Sequence, residues 1–503
     1  MSQLSLLQQE ESSDKVSLAQ SIADLQEEIR TLYLEDGTPW VLGYSGGKDS
    51  SATLQLVWTA LAKLPRADIK KPVHVISTDT LVENPVVAAW VGKSLEQMGV
   101  AADKQGMPIK PHKLTPELLD SFWVCLIGKG YCSPRMPGMR WCTERLKIKP
   151  SNKFITNVVS RHGEAILCLG TRKAESASRR RTMEAAEKGR IRDRLSPNKS
   201  LPGSWVYSPI EDWSNDDVWT FLFQVPNPWG WHNRALFRMY AAGSDSGECP
   251  LVVDTGTPSC GSSRFGCWVC TLVEKDKSMA AMIQHDTEKE WMEPLLGLRD
   301  DLAMQKDRHL RDFRRMNGRV QLFHDRTIPG PYTQQARADW LRKLLRTQRE
   351  VSEYAPAGER LELISMDELR EIRRIWVLDK HEIEDLLPGI YEQEIGHPYP
   401  DRDILGPVDI PFEKDALGLL KECCSDPMEY ERIRNLLHVE ASYRTSVRRA
   451  GLYDALENVL VRTKYVNEED ALAYLREVNQ IREQAQLGLL GTNIHEVEEY
   501  EEA

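Results

Sequence analysis

No stretch of this sequence approaches the ~20 uninterrupted apolar residues needed to span a bilayer, so a membrane-spanning role is not expected. Met1 to Asp14 is polar and acidic and lacks both the basic region and the apolar core of a secretory signal, from which a cytoplasmic location is expected. Cysteine is sparse. Ten in 503 residues are too few for a disulfide scaffold, and in a reducing compartment their clustering points to metal binding or catalysis. An excess of basic charge is missing too: the formal net charge is −11, which argues against a generally basic nucleic-acid binder.

What is present is ordinary in bulk, with 41% hydrophobic and 28% charged residues. The length predicts an α/β domain followed by substantial further structure, in two or three units. Charge is uneven along the chain. Residues 171 to 194 hold nine Lys or Arg against four acids, residues 301 to 350 hold twelve against six, and Glu496 to Glu502 form an acidic tail. Either basic segment could track a nucleic-acid backbone or form a solvated helix face.

Apolar residues at Leu18, Ile22, Leu25, Ile29 and Leu32 predict an amphipathic helix over Ser17 to Leu34. The period then changes. Strands are predicted at Pro39 to Tyr44, Val73 to Ser77, Ala165 to Gly170 and Val206 to Ile210, with helices at Ser50 to Lys63 and Pro85 to Met98. This alternation predicts a mainly parallel sheet with flanking helices. Residues 225 to 271, crowded with Pro, Gly, Trp and Cys, read as a long ordered loop, and beyond about residue 278 the pattern is mostly helical. The expected division is an N-terminal helix over 1–35, an α/β domain over 36–277 with a cysteine-rich metal loop at 249–270, a helical region over 278–490 and an acidic tail over 491–503.

Ser45-Gly46-Gly47-Lys48-Asp49-Ser50 follows a predicted strand and opens a predicted helix, where backbone N–H groups and the helix dipole face an anion together. Paired glycines let the main chain approach phosphate oxygens, while the serine hydroxyls and Lys48 add donors and charge. It is not a Walker A loop, because Lys48 and Asp49 stand where Gly and Lys would follow Gly43. The bland alternative is a glycine-containing turn with no ligand.

The string resembles that of the PP-loop ATP pyrophosphatases, and within them the phosphoadenosine-phosphosulfate reductase-like branch. Further matching segments are Ser77-Thr78-Asp79-Thr80, Arg140-Trp141-Cys142-Thr143 with Leu146-Lys147, Gly170-Thr171-Arg172 with Glu175-Ser176, and Pro209-Ile210-Glu211-Asp212-Trp213 leading to Asp216-Asp217-Val218-Trp219, together covering residues 40 to 275. The resemblance implies an adenine-nucleotide fold that binds ATP and is attacked at the α-phosphate, with release of AMP and pyrophosphate. Thr78, Asp79, Gly170 and Arg172 would then join Ser45 to Ser50 in holding the nucleotide, with Asp49 or Asp79 near Mg2+.

Cys267-Trp268-Val269-Cys270 places two thiolates close enough for one metal centre, and Cys260 lies seven residues upstream of Cys267. Cys142 is the leading candidate for a fourth ligand, with Cys249 its rival. Spacing alone leaves iron-sulfur, zinc, a redox pair and plain buried thiols open. Cys423-Cys424, on a predicted helix, reads as structural. Reductases of the branch carry either a Cys-Cys pair upstream of the CxxC or a C-terminal Cys-Gly motif. Neither arrangement is present, which weakens sulfate-ester reduction.

Thr78-Asp79-Thr80-Leu81-Val82-Glu83-Asn84-Pro85, Glu248-Cys249-Pro250-Leu251 and Ser259-Cys260-Gly261 through Phe265-Gly266-Cys267-Trp268-Val269-Cys270 resemble the DndC family, sulfurtransferases of bacterial DNA phosphorothioation. That resemblance implies a 4Fe-4S cluster, sulfur from a cysteine desulfurase, a DNA substrate and the partner subunits DndD and DndE. Two rival readings share the scaffold: tRNA thiolation or sulfonucleotide reduction, and a nucleotide-gated sensor or scaffold of a defence complex.

Overall fold

Trp40-Val41-Leu42 and Ala165-Ile166-Leu167-Cys168 are short runs without a charged or strongly polar residue, the pattern of strands covered on both faces. In the computed structural model, which describes residues 18–135, 139–190, 192–243, 266–324, 326–356, 361–402, 414–444 and 448–486, they lie at the centre of a sheet. The chain divides into two compact units, residues 1–117 with 136–296, and residues 118–135 with 297–503.

The first unit runs α1 (Leu18–Glu35), β1 (Trp40–Gly43), α2 (Lys48–Leu61), β2 (Val73–Thr78), α3 (Pro85–Gln105), β3 (Ile109–Leu114), α4 (Lys149–His162), β4 (Ala165–Cys168), α5 (Ala177–Glu187), β5 (Ser196–Pro197), β6 (Ser204–Tyr207), α6 (Asn215–Gln224), α7 (Asn233–Ala242) and α8 (Lys277–His285). The six strands are ordered β3-β2-β1-β4-β6-β5, all neighbours parallel except β5 and β6. The α/β, mainly parallel architecture expected from the alternation is therefore what the chain forms. Because β1 pairs with β2 on one side and β4 on the other, the sheet reverses direction between β1 and β4, and a crevice opens at their carboxyl ends.

Local chemistry explains the ends of the elements. The Asn84 side chain accepts from Val86 N, Pro85 fills the first turn of α3, and Gly106 ends that helix at φ +63. Ser214 and Asp217 form a reciprocal cap on α6. Inside, Trp40, Leu42, Leu54, Trp58, Val75 and Ile166 are fully buried and form the centre of one apolar cluster.

Two expectations need correction. Ile109–Leu114 was not foreseen as a strand, because Lys110, Pro111 and Lys113 break the apolar run; as an outermost strand it tolerates a proline and polar residues. The stretch 225–271 is not all loop: Asn233–Ala242 is helical, and Phe237 and Tyr240 pack edge-on against Trp219 at 5.2 and 5.4 Å.

Among its described residues the second unit is helical apart from a two-stranded ribbon of β7 (Leu322–Phe323) and β8 (Arg326–Thr327). The chain enters it along α9 (Glu293–Leu302) and continues through α10 (Gln334–Tyr354), α11 (Met366–Arg374), α12 (Leu386–Ile395), α13 (Lys414–Cys423), α14 (Pro427–Tyr443), α15 (Leu452–Arg462) and α16 (Glu468–Gln486). Residues 118–135 lock into it: Trp123 Nε1 donates to Leu363 O at 2.8 Å and Trp376 Nε1 to Ile127 O at 2.9 Å. Cys423, expected to be structural, is the exposed last residue of α13. No helix among the described residues is long and apolar enough to cross a membrane.

Candidate functional site

The turn between β1 and α2 can be made only with glycine at two of its contacts. Gly46 sits at φ +73, and a Cβ there would lie 2.4 Å from Val91 Cγ2 on α3. A Cβ on Gly170, just beyond β4, would lie 2.7 Å from the Asp49 carbonyl oxygen, so the two chain crossings at the sheet reversal touch main chain to main chain. Gly47 caps α2 without a side chain, so the positive end of the helix faces outward. Ser45 N donates to Ser50 Oγ at 3.2 Å, and Lys48 N points to Tyr240 Oη at 3.4 Å, a contact long enough to give way to a phosphate oxygen.

A cavity of about 1240 Å³ opens here, and all ten residues expected to hold the nucleotide line it. Its charge is pre-arranged. Arg172 Nε donates to Asp49 Oδ1 at 2.7 Å, Arg172 Nη1 donates to Trp213 O at 3.2 Å, and Lys48 Nζ lies 3.3 Å from Asp49 Oδ2. Arg172 and Lys48 are 4% and 8% exposed, so these charges are held by neighbours rather than by water. Lys48 Nζ also stands 5.3 Å from the centroid of Tyr240, whose hydroxyl is pushed up to about 12 by burial and by the nearby Asp49 charge.

At the end of β2, Thr78 Oγ1 lies 3.1 Å from Ser151 Oγ on α4, and Asp79 Oδ1 accepts from Leu81 N at 2.8 Å. Lys113 Nζ, on a half-exposed side chain, reaches Asp79 Oδ2 at 2.7 Å. Both Asp49 oxygens are engaged by buried cations, whereas Asp79 is held by a movable lysine. Of the two, Asp79 therefore fits a magnesium ligand better, completed by phosphate oxygens. Leu81 takes φ +65, a strained conformation for a leucine that the Asp79 side chain pins in place.

This strained turn leads into the cysteines. Glu83 forms an antiparallel bridge with Cys267, Trp268 N donates to Val82 O at 2.9 Å, and Thr80 Oγ1 lies 3.3 Å from Cys267 Sγ. Glu83 and Lys147 line the same cavity and pair at 3.3 Å, while Glu83 Oε1 lies 3.8 Å from Cys267 Sγ. The thiol group thus abuts the glycine-loop cavity through one carboxylate and one lysine. Burial, then the Glu83 charge, pushes the Cys267 thiol up to about 12. Burial also raises Cys142, with a further push from the neighbouring Cys270.

Cys270 is accordingly in electrostatic reach of both Cys142 and Cys267, while Cys260 and its rival Cys249 lie outside the described residues. Among the described residues no group of three His, Cys, Asp or Glu is arranged to hold a metal ion. The residue types themselves suit a thiophilic metal: two thiols of one turn, Cys267 and Cys270, and a third, Cys142, within electrostatic reach of Cys270.

Lys113, Tyr240 and the roles of Glu83 and Lys147 were not read from the sequence. Glu83 and Lys147 stood in matching segments, but no periodicity says that they meet. The two basic segments are largely neutralised: Arg190 pairs with Glu211, Arg192 with Asp36, Arg314 with Asp312 and Glu431, and Arg337 with Glu382.

Residues 39–273 match the phosphoadenosine phosphosulfate reductase domain. An uncharacterized protein of Methanocaldococcus jannaschii is 27% identical over 246 residues, 49% of this chain and 39% of that relative, so the chain spans well under half of the curated relative's length. Among solved structures, phosphoadenylyl-sulfate reductase from Candida auris, in a phosphate complex, is 13% identical, covering 42% of this chain and 89% of that one, at a TM-score of 0.25. The U34-tRNA thiolase NcsA from Methanococcus maripaludis, with its 4Fe-4S cluster, is 14% identical, covering 56% and 77%, at a TM-score of 0.27. The sheet order, the glycine-lined crevice and the match over residues 39–273 agree in making that stretch similar to the phosphoadenosine phosphosulfate reductase domain.

Proposed function

We propose that the chain is a sulfurtransferase that activates a phosphate oxygen with ATP and delivers sulfur to the activated phosphorus, with the DNA backbone as acceptor and phosphorothioate as product. The observation that carries this reading is the junction of Glu83 and Lys147, which line the phosphate cavity and stand beside Cys267. A nucleotide site continuous with a thiol site is what coupling of ATP cleavage to sulfur transfer requires.

In this mechanism the loop amides and Lys48 hold the β and γ phosphates and stabilise the charge that develops on pyrophosphate. A non-bridging oxygen of the acceptor attacks the α-phosphorus, pyrophosphate leaves, and the acceptor oxygen becomes part of a mixed anhydride. Attack by sulfur at the sulfide oxidation level on the acceptor phosphorus then expels AMP. Lys147 remains charged for this step, since burial opposes its charge but the Glu83 carboxylate 3.3 Å away favours it. Arg172, anchored to Asp49 and Trp213, keeps the two crossing loops in register. A 4Fe-4S cluster on Cys142, Cys260, Cys267 and Cys270 would supply a thiophilic site for the sulfur. Mg2+ beside Asp79 would offset phosphate charge. The sulfur source in this proposal is a cysteine desulfurase, whose persulfide sulfur a two-electron thiol reductant releases at the sulfide level, and DndD and DndE are the subunits that supply most of the DNA contact.

The test compares nucleic acids from cells holding all partners with and without this chain, digested and analysed by mass spectrometry. Phosphorothioate-linked dinucleotides that depend on Lys48 and on Cys142, Cys267 and Cys270 support the proposal. Thiolated bases in tRNA instead, or no sulfur product at all, overturn it.

A further inference from the structure

The helical unit contains a cavity of about 1500 Å³ that has no part in the site above, and the charges around it are unequally partnered. Its carboxylates are engaged: Glu382 by Arg337, Glu384 by Arg434, Asp312 and Glu431 by Arg314, and Glu468 by Arg308. Asp379 pairs with Arg374, and Asp426 accepts from Met428 N and Glu429 N at the start of α14. Four cations on the wall, Lys380, Arg315, Lys421 and Arg462, have no carboxylate within ion-pair distance among the described residues. Arg315 spends one donor on Pro329 O.

Lys380 is the least expected of the four. It follows the irregular turn Ile375–Asp379, and a shielded ammonium without a counter-ion is costly unless an anion arrives. The groups facing it are Arg337 on α10, Glu382 in its own loop, Arg462 on α15 and Asp312 before α10. The volume exceeds the ~300–1,000 Å³ of common small-molecule pockets. Phe313 and Tyr443 add ring surface to the wall, against which a base could stack.

We propose that this cavity is a second binding site, specific for nucleotide phosphate, with Lys380 as its central cation. The phosphate would come either from a free nucleotide or from a nucleic-acid strand. Burial and then the Arg337 charge push the Lys380 ammonium down to about 8. An anion favours its charged form, so affinity is level below about pH 8 and falls as pH rises above it, by up to about tenfold per unit. His381, pushed down to about 4 by burial and His438, stays neutral through this range.

The experiment uses the full chain carrying Lys48→Ala, which disables the first site, and measures binding of fluorescent ATP and of a short fluorescent oligodeoxyadenylate across pH 7 to 9.5. Retained binding of either probe, weakened at least about tenfold by Lys380→Met and restored without the alkaline decline by Lys380→Arg, supports the proposal. ATP alone binding identifies a free nucleotide, and the oligomer binding identifies a strand. Arg462→Ala, at an exposed position on the cavity wall, checks the same direction without touching the buried pairs. If neither probe binds, or if Lys380→Met and Arg462→Ala bind both probes as their parent does, the proposal is overturned.

Discussion

Arg172 reaches from the loop after β4 to Asp49 in the first turn of α2, Nε to Oδ1 at 2.7 Å, and so ties together the two strands between which the sheet reverses. The pair sets the width of the crevice where phosphates would sit. Removing the guanidinium leaves Asp49 facing only Lys48 and leaves Trp213 O without this donor.

Arg172→Ala is therefore expected to cost about 2–4 kcal/mol of stability in the α/β unit and to abolish ATP binding. Arg172→Lys should recover part of the stability but little affinity, because one ammonium cannot replace the guanidinium fork. Denaturant titration and nucleotide binding measured together check this. Unchanged ATP affinity in Arg172→Ala would remove the pair from the site.

The two glycines give a sharper test of the loop. Gly46→Ala faces a positive φ and Val91 Cγ2 at 2.4 Å, while Gly170→Ala faces backbone atoms that cannot step aside. Each should cost about 1–3 kcal/mol and eliminate AMP release. Adding Val91→Ala to Gly46→Ala relieves the contact but not the dihedral strain, so partial recovery is expected. No such option exists for Gly170. Full activity in either single variant contradicts the close approach.

Serine at Cys142, Cys267 or Cys270 is expected to lower bound metal and to leave ATP binding within about threefold, because the thiols lie beside the phosphate loop and not in it. Cys168→Ala is the control. That thiol is fully buried in the apolar cluster around β4 and does not line the cavity, so it lies outside the site. Elemental analysis of anaerobically purified protein distinguishes iron from zinc. Equal metal content in all four variants would exclude these thiols.

His74 and His112 stand on adjacent strands with Nδ1 and Nε2 3.0 Å apart, against Phe154. Burial, then the His112 and Lys110 charges, pushes His74 down from 6.5 to about 4. The unfolded chain therefore binds a proton that the folded one refuses. His74 contributes stability above about pH 6.5 that is lost as pH falls toward 4. His74→Gln should flatten the slope of stability against pH in that window; an unchanged slope assigns it to other groups.

Much of this was legible in the chain itself. Trp40 to Gly43, the glycine pair and Lys48 identified strand, turn and helix, because backbone freedom and phosphate chemistry are written into residue type within a few positions. The edge strand at Ile109 to Leu114 was not legible, since at an outer position hydrogen bonding to β2 outweighs a poor apolar pattern. Asn233–Ala242 was hidden by the proline and tryptophan around it, and with it Tyr240.

Sequence alone determined the α/β class, the glycine turn between strand and helix and the residue types of the thiol group, all of which depend on local spacing. Tertiary structure alone decided that Gly170 touches Asp49, that Arg172 spends its charge on Asp49, and that Glu83 with Lys147 joins the thiols to the cavity. The reason is distance along the chain. Partners 64 to 184 residues apart meet only through strand order and helix packing, which no local pattern encodes.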